Sequence, residues 1–261
     1  MKKKTRWPIY LIIGLIITFI AFTVPLPYYI EVPGTSEDIR KVLQVNNQAD
    51  QEEGSYQFVT VGVKHARMVD LVYAWLTPFT DIRSAKEMTG GSSDAEFMRI
   101  NQFYMETSQN MAKYQGLKAA GKEIELKYLG VYVLTVTDNS TFKGILNIAD
   151  TVTAVNDKTF ESSKEMVDYV NSQTLGDKVK VTYQEDGKVK TAEGKIITLE
   201  NGKNGIGIGL IDRTEVSSDV PIKFSTAGIG GPSAGMMFSL SIYTQIADPT
   251  LRNGRIIAGT G

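Results

Sequence analysis

The chain has no cysteine and a single histidine, His65. Disulfides are excluded, and without a C-x-x-C or histidine pair no metal site of the structural zinc type is expected. The absence of cysteine leaves the compartment open. Neither sign of charge dominates: 28 Lys and Arg stand against 29 Asp and Glu over 261 residues, a net charge of −1. Nothing in that balance suggests a nucleic-acid partner. There is no G-x-x-x-x-G-K-[ST] loop, so no ATP-driven step is expected. Gly205, Gly207 and Gly209 lack the spacing and the βαβ frame of a dinucleotide fingerprint. No cofactor is expected. Internal repeats and low-complexity tracts are absent as well.

One long hydrophobic run is present. Lys2, Lys3, Lys4 and Arg6 precede an uncharged stretch from Trp7 to Ile30, whose core, Ile9 to Val24, is mostly Ile, Leu and Phe. A spanning helix needs about 20 apolar residues, Trp7, Tyr28 and Tyr29 suit the two interfaces, and the basic cluster favours the cytoplasm. A cleaved signal peptide usually has a shorter apolar core and an A-x-A-like site, and Val24-Pro25-Leu26-Pro27 would be cut poorly. Residues 1–30 are therefore expected to be a single-pass anchor in the cell membrane with the bulk of the chain outside.

Beyond it, 31–124 reads as an α+β segment. Ile30 to Gly34 and Tyr56 to Val63 have strand character. Ser93 to Ala120 predicts a long helix, with a capping box at Ser93 and Glu96, apolar spacing at Phe97, Ile100, Tyr104 and Met111, and Gly121 as its stop. Met98, Met105 and Met111 read as packing residues rather than a cofactor site.

From 125 to 198 the pattern changes to short strands around one helix. Tyr128 to Val136 and Thr151 to Val155 are strands, with a turn at Asn156-Asp157. Ser162 and Glu165 start a helix to about Ser172, and Val179 to Tyr183 runs to a hairpin at Asp186-Gly187. This arrangement resembles a PDZ domain. The resemblance implies that Leu129, Gly130 and Val131 form a carboxylate-binding loop, and that an extended peptide adds to the edge strand beginning at Val131, beside the helix from Ser162. The turn Ile148-Ala149-Asp150 departs from the family, which usually has glycine at the position of Ala149. A small α+β domain with a closed edge remains the rival reading.

The last segment, 199–261, contains Gly228-Ile229-Gly230-Gly231-Pro232-Ser233-Ala234-Gly235, between a strand-like Val220 to Phe224 and a helix from Ala234 to Ile246. Small neighbours expose the Ser233 hydroxyl, and amides at a helix start can stabilise an oxyanion. Equally, Ser233 could simply cap the helix. G-x-S-x-G also marks α/β-hydrolases, but these need a histidine after the serine, and none follows. A serine–lysine pair is the arrangement left.

Gly-Gly-Pro-Ser-Ala-Gly resembles the nucleophile motif of Lon-type serine proteases. The upstream segments resemble their membrane-anchored, PDZ-carrying branch, which includes the pheromone-processing proteases of Gram-positive bacteria. The resemblance implies Ser233 as nucleophile, oxyanion amides around Gly231 and Ala234, and a lysine base a few dozen residues on. No lysine lies between Ser233 and Gly261, and Arg252 and Arg255 stay protonated. The chain is accordingly expected to be C-terminally truncated and inactive as it stands, with the strand from Arg255 to Gly259 lacking its partners.

The overall expectation is an α+β protein comprising a transmembrane helix, a PDZ-like domain and the front of a Lon-type domain. It would act as an ATP-independent serine endopeptidase on a peptide or protein substrate, with homo-oligomerisation left open. The alternative is a non-catalytic, membrane-tethered peptide-binding protein.

Overall fold

The computed structural model describes residues 7–260. The basic cluster Lys2, Lys3, Lys4 and Arg6, and Gly261, lie outside the described residues. In chain order come α1 (Trp7–Thr23), β1 (Pro25–Asp38), a 3-10 turn (Ile39–Lys41), β2 (Leu43–Val45), β3 (Ser55–Arg67) and α2 (Met68–Leu76). Then follow β4 (Asp81–Ser84), α3 (Ala85–Thr89), α4 (Asp94–Ala119), β5 (Glu125–Val136), β6 (Thr151–Val155) and α5 (Ser163–Asn171). The rest comprises β7 (Lys178–Glu185), β8 (Lys188–Lys195), β9 (Ile197–Thr198), β10 (Asn204–Gly205), β11 (Ile208–Ser217), β12 (Ile222–Phe224), α6 (Gly235–Ile246) and β13 (Ile256–Gly259).

The mixed α+β class holds, but its transmembrane element does not. α1 has 17 residues, which at about 1.5 Å each span about 26 Å, short of the roughly 30 Å apolar core of a bilayer. The chain turns into β1 at Pro25, and no helix among the described residues is long and apolar enough to cross a membrane. The expected single-pass placement in the cell membrane fails on that length.

The chain forms two compact units, one of residues up to 35 with 60–93, the other of 36–59 with 94 onward. In the first, β1 and β4 pair antiparallel from Tyr28↔Ser84 to Glu31↔Asp81. The Tyr29 ring stacks on His65 at 4.3 Å. A capping box at Ser84 and Glu87 starts α3.

The second unit is built on a sheet of order β11-β5-β6-β7-β8. Side chains alternate across it, as strand geometry requires. Val131 and Val133 face a core with Phe142, Val152, Val181 and the α5 residues Met166 and Val170. Tyr132 and Leu134 face the opposite side, where Ile100 and Phe103 of α4 cover them. α4 ends as its sequence predicts: Gly121, at φ +67°, donates to Lys118 O and Lys122 donates to Leu117 O, the paired bonds of a Schellman stop. The Asp186-Gly187 turn has both residues at positive φ, as a two-residue hairpin demands.

α6 crosses α4 at Gly116, where a Cβ would lie 2.9 Å from both the Ile242 side chain and Ser239 O. This contact belongs to a separate core with Tyr56, Phe58, Met105, Leu117, Met237 and Phe238. Of the methionines expected to pack, Met105 is buried there, whereas Met98 is exposed.

Two sequence boundaries shift. The sheet reaches beyond residue 198, because β11 is its end strand, and α4, lying before residue 125, closes one face. Nor does the last strand lack partners: β13 pairs parallel with β3, Ile256↔Ser55 through Gly259↔Phe58.

Candidate functional site

α5 is seated by its N-terminus. Ser162 accepts from Glu165 N at 3.2 Å, while the Glu165 carboxylate reaches Glu161 N, one residue earlier than a complete capping box requires. The Asp212 carboxylate in β11 accepts from Ser163 N at 3.1 Å, holding the first turn of α5 against that strand.

Between α5 and β11 runs an apolar groove of about 50 Å3, bounded by Met166, Val167 and Val170 on one side and Ile206, Ile208 and Leu210 on the other. Gly207, at φ +73°, turns the chain into β11, and its carbonyl accepts from Thr137 N at 2.8 Å. Leu199 closes one end by packing on Gly205, where a Cβ would come within 2.6 Å of it. β11 pairs with β5 along its whole length, from Ile208↔Val136 to Ser217↔Glu125, and is the end strand of its sheet. Its other edge therefore lies beside α5.

The strand expected to offer a free edge does not have one. Leu129, Gly130 and Val131 lie in β5, an inner strand flanked by β11 and β6. Val131 is fully buried. Gly130 is needed for strand packing, since at φ +130° a Cβ would sit 2.2 Å from Val152 O. The groove glycines were legible in sequence only as a failed dinucleotide motif. The usable signal is that Ile206, Ile208 and Leu210 alternate with glycines, and all three line the groove.

Ser233 is exposed on the loop between β12 and α6. It is not the helix cap: that position is Ala234, and no side-chain bond caps the helix. α4 anchors the loop. Gly231 N donates to Asn101 O at 2.8 Å, Ser108 Oγ donates to Pro232 O at 3.0 Å, and Gln109 Nε2 donates to Thr226 Oγ1 at 2.7 Å. The single N–H of Gly231 is thereby spent, and Gly231 drops out of the expected oxyanion pair. Ala234 remains as the position at the head of α6. Among the described residues no cluster of His, Asp or Glu could hold a metal ion.

The PDZ domain family matches residues 102–196. The chain is similar to the PDZ domain of the SdrC-like protein of Listeria monocytogenes, at 35% identity over 33% of this chain and 93% of that one, TM-score 0.32. It is also similar to the corresponding domain from Listeria innocua, at 38% identity over 31% and 92%, TM-score 0.30. A Geobacillus thermodenitrificans protein shows 30% identity over 31% and 94%, TM-score 0.28. No curated protein matches the chain. A PDZ domain is therefore present, over residues 102–196.

Proposed function

We propose that this protein binds the apolar carboxy-terminal end of an extended polypeptide in the groove between α5 and β11. The observation that carries this reading is the position of β11, an end strand whose outer edge runs beside α5. An incoming peptide would add as a further strand, with main-chain bonds supplying affinity and the pocket selecting side chains. The lining is apolar and the space small, which suits a small aliphatic terminal residue. The turn at Gly205 to Gly209 would present backbone amides to the terminal carboxylate. Fluorescence polarisation with a peptide ending in valine tests this: binding is expected, with marked loss on C-terminal amidation and in Val167→Glu. Equal binding of the free and amidated peptides would refute it.

A second reading is that Ser233 is a peptidase nucleophile working without ATP. In its favour, Ser233 is exposed and does not occupy the cap position of α6. A serine needs a base to remove its proton, and the family resemblance would supply a lysine that this sequence does not contain after Ser233. Labelling by a fluorophosphonate, lost in Ser233→Ala, would support the reading. Equal labelling of both proteins would refute it.

A further inference from the structure

The sheet face opposite the groove carries an open cleft of about 390 Å3. One wall is a ladder of cations and rings. Phe103 of α4 and Tyr132 of β5 stack at 4.0 Å and 12°. The Arg99 guanidinium lies 5.9 Å from the Phe103 centroid, and that of Arg213 in β11 lies 5.2 Å from the Tyr132 centroid. Stacking holds a guanidinium by its face and leaves its N–H edge available. Arg213 spends Nη1 on neutral acceptors, Thr151 Oγ1 at 2.8 Å and Gln184 Oε1 at 3.5 Å. Among the described residues, neither arginine forms an ion pair.

The lining of the same cleft also includes the acidic residues Asp150, Glu185 and Asp186. Glu185 is neutralised by Lys190 and accepts from Asn147 Nδ2. Asp150 accepts from Asn147 N at 2.8 Å, and burial pushes its carboxyl above the ordinary value. Asp186 is exposed on the β7–β8 turn. The cleft therefore carries groups of both charges, with Ile148 and Ala149 supplying apolar surface.

We propose that this cleft binds the zwitterion of a short free peptide, with its carboxylate on the Arg99 and Arg213 wall and its ammonium against Asp150 and Asp186. A guanidinium fork takes a carboxylate through two parallel bonds. A phosphate dianion would draw more strongly on the arginines, but the carboxylates of the same lining would repel it in proportion to its doubled charge. The volume falls within the range of small-molecule sites. The site is separate from the α5 groove, because Leu210 points to one face of β11 and Ile211 to the other. It does not depend on that groove being used.

Calorimetric titration of the full chain with alanyl-leucine provides the test, alongside N-acetyl-alanyl-leucine and alanyl-leucinamide as probes lacking one charge each. Binding of alanyl-leucine is expected, weakened about tenfold or more by either blocking group and by Arg213→Gln. The exposed Arg99→Gln, which should leave the fold intact, is expected to weaken it as well. Circular dichroism melting checks that each variant is folded. No heat of binding at millimolar alanyl-leucine, or equal binding of all three peptides, would overturn the proposal. Unaltered binding by both folded arginine variants would do the same.

Discussion

The Gly231 amide donates to the Asn101 carbonyl at 2.8 Å, joining the serine loop to the helix that also backs the PDZ sheet. The same helix reaches β11, through Thr107 Oγ1 to Asp212 O at 3.0 Å and Asn110 Nδ2 to Thr214 O at 2.8 Å. One element thus holds both the strand that edges the α5 groove and the loop that carries Ser233. That second role of α4 limits what the loop can do, since the Gly231 amide is already used.

Gly230 tests how tightly the loop is held. A Cβ there would lie 2.7 Å from Asn101 Cβ and 3.2 Å from Asn101 backbone atoms. Gly230→Ala should force the loop off α4 and cost about 1–3 kcal/mol, the usual range for overpacking. Urea denaturation measures this, and an unchanged midpoint would show that the loop is not clamped.

Ala149 occupies the position where the family usually has glycine, and its φ is +85°. An L-residue held there costs on the order of 1 kcal/mol or more. Ala149→Gly is therefore expected to stabilise the domain by up to about 1 kcal/mol despite the greater freedom of glycine in the unfolded chain. A lower melting temperature in the variant would contradict this.

Arg252 is 1% exposed and pairs with the buried Asp50, while its other nitrogens donate to Glu53 O at 2.8 Å and Glu52 O at 2.9 Å. Removing one partner leaves a buried charge unmatched, so Arg252→Ala should cost about 3–5 kcal/mol. Comparing single and double variants with Asp50→Asn should show strong coupling between the two sites. Additive losses would mean that the pair does not act as a unit.

Asp150 governs a pH effect. Burial raises its folded-state carboxyl above the ordinary value, so the folded protein holds the proton more tightly than the unfolded chain. The associated stability is fully present below the unfolded value, about 4, and is lost as pH rises through the higher folded value. Asp150→Asn removes this loss and keeps an acceptor for Asn147 N. The variant should gain stability relative to the parent as pH climbs from 4 to 7. A constant difference across that window would show that the carboxyl is not perturbed.

What the sequence determined by itself was local. Gly121 stops α4, Ser162 starts α5, and Asp186-Gly187 turns β7 into β8, because each depends on dihedral preferences and bonds within a few residues. The short strands around one helix were enough to indicate a PDZ domain.

Only the tertiary structure decided which strand has a free edge. β5 reads as a strand from its sequence and β11 does not, yet β11 lies outermost and β5 is enclosed by partners on both sides. Strand order depends on pairings between distant segments, such as Arg213↔Gly130 and Ile256↔Ser55, and no local periodicity encodes it. The same holds for Gly231: its glycine-rich setting announced a turn, but the carbonyl that accepts from its N–H belongs to Asn101, brought there by the packing of α4.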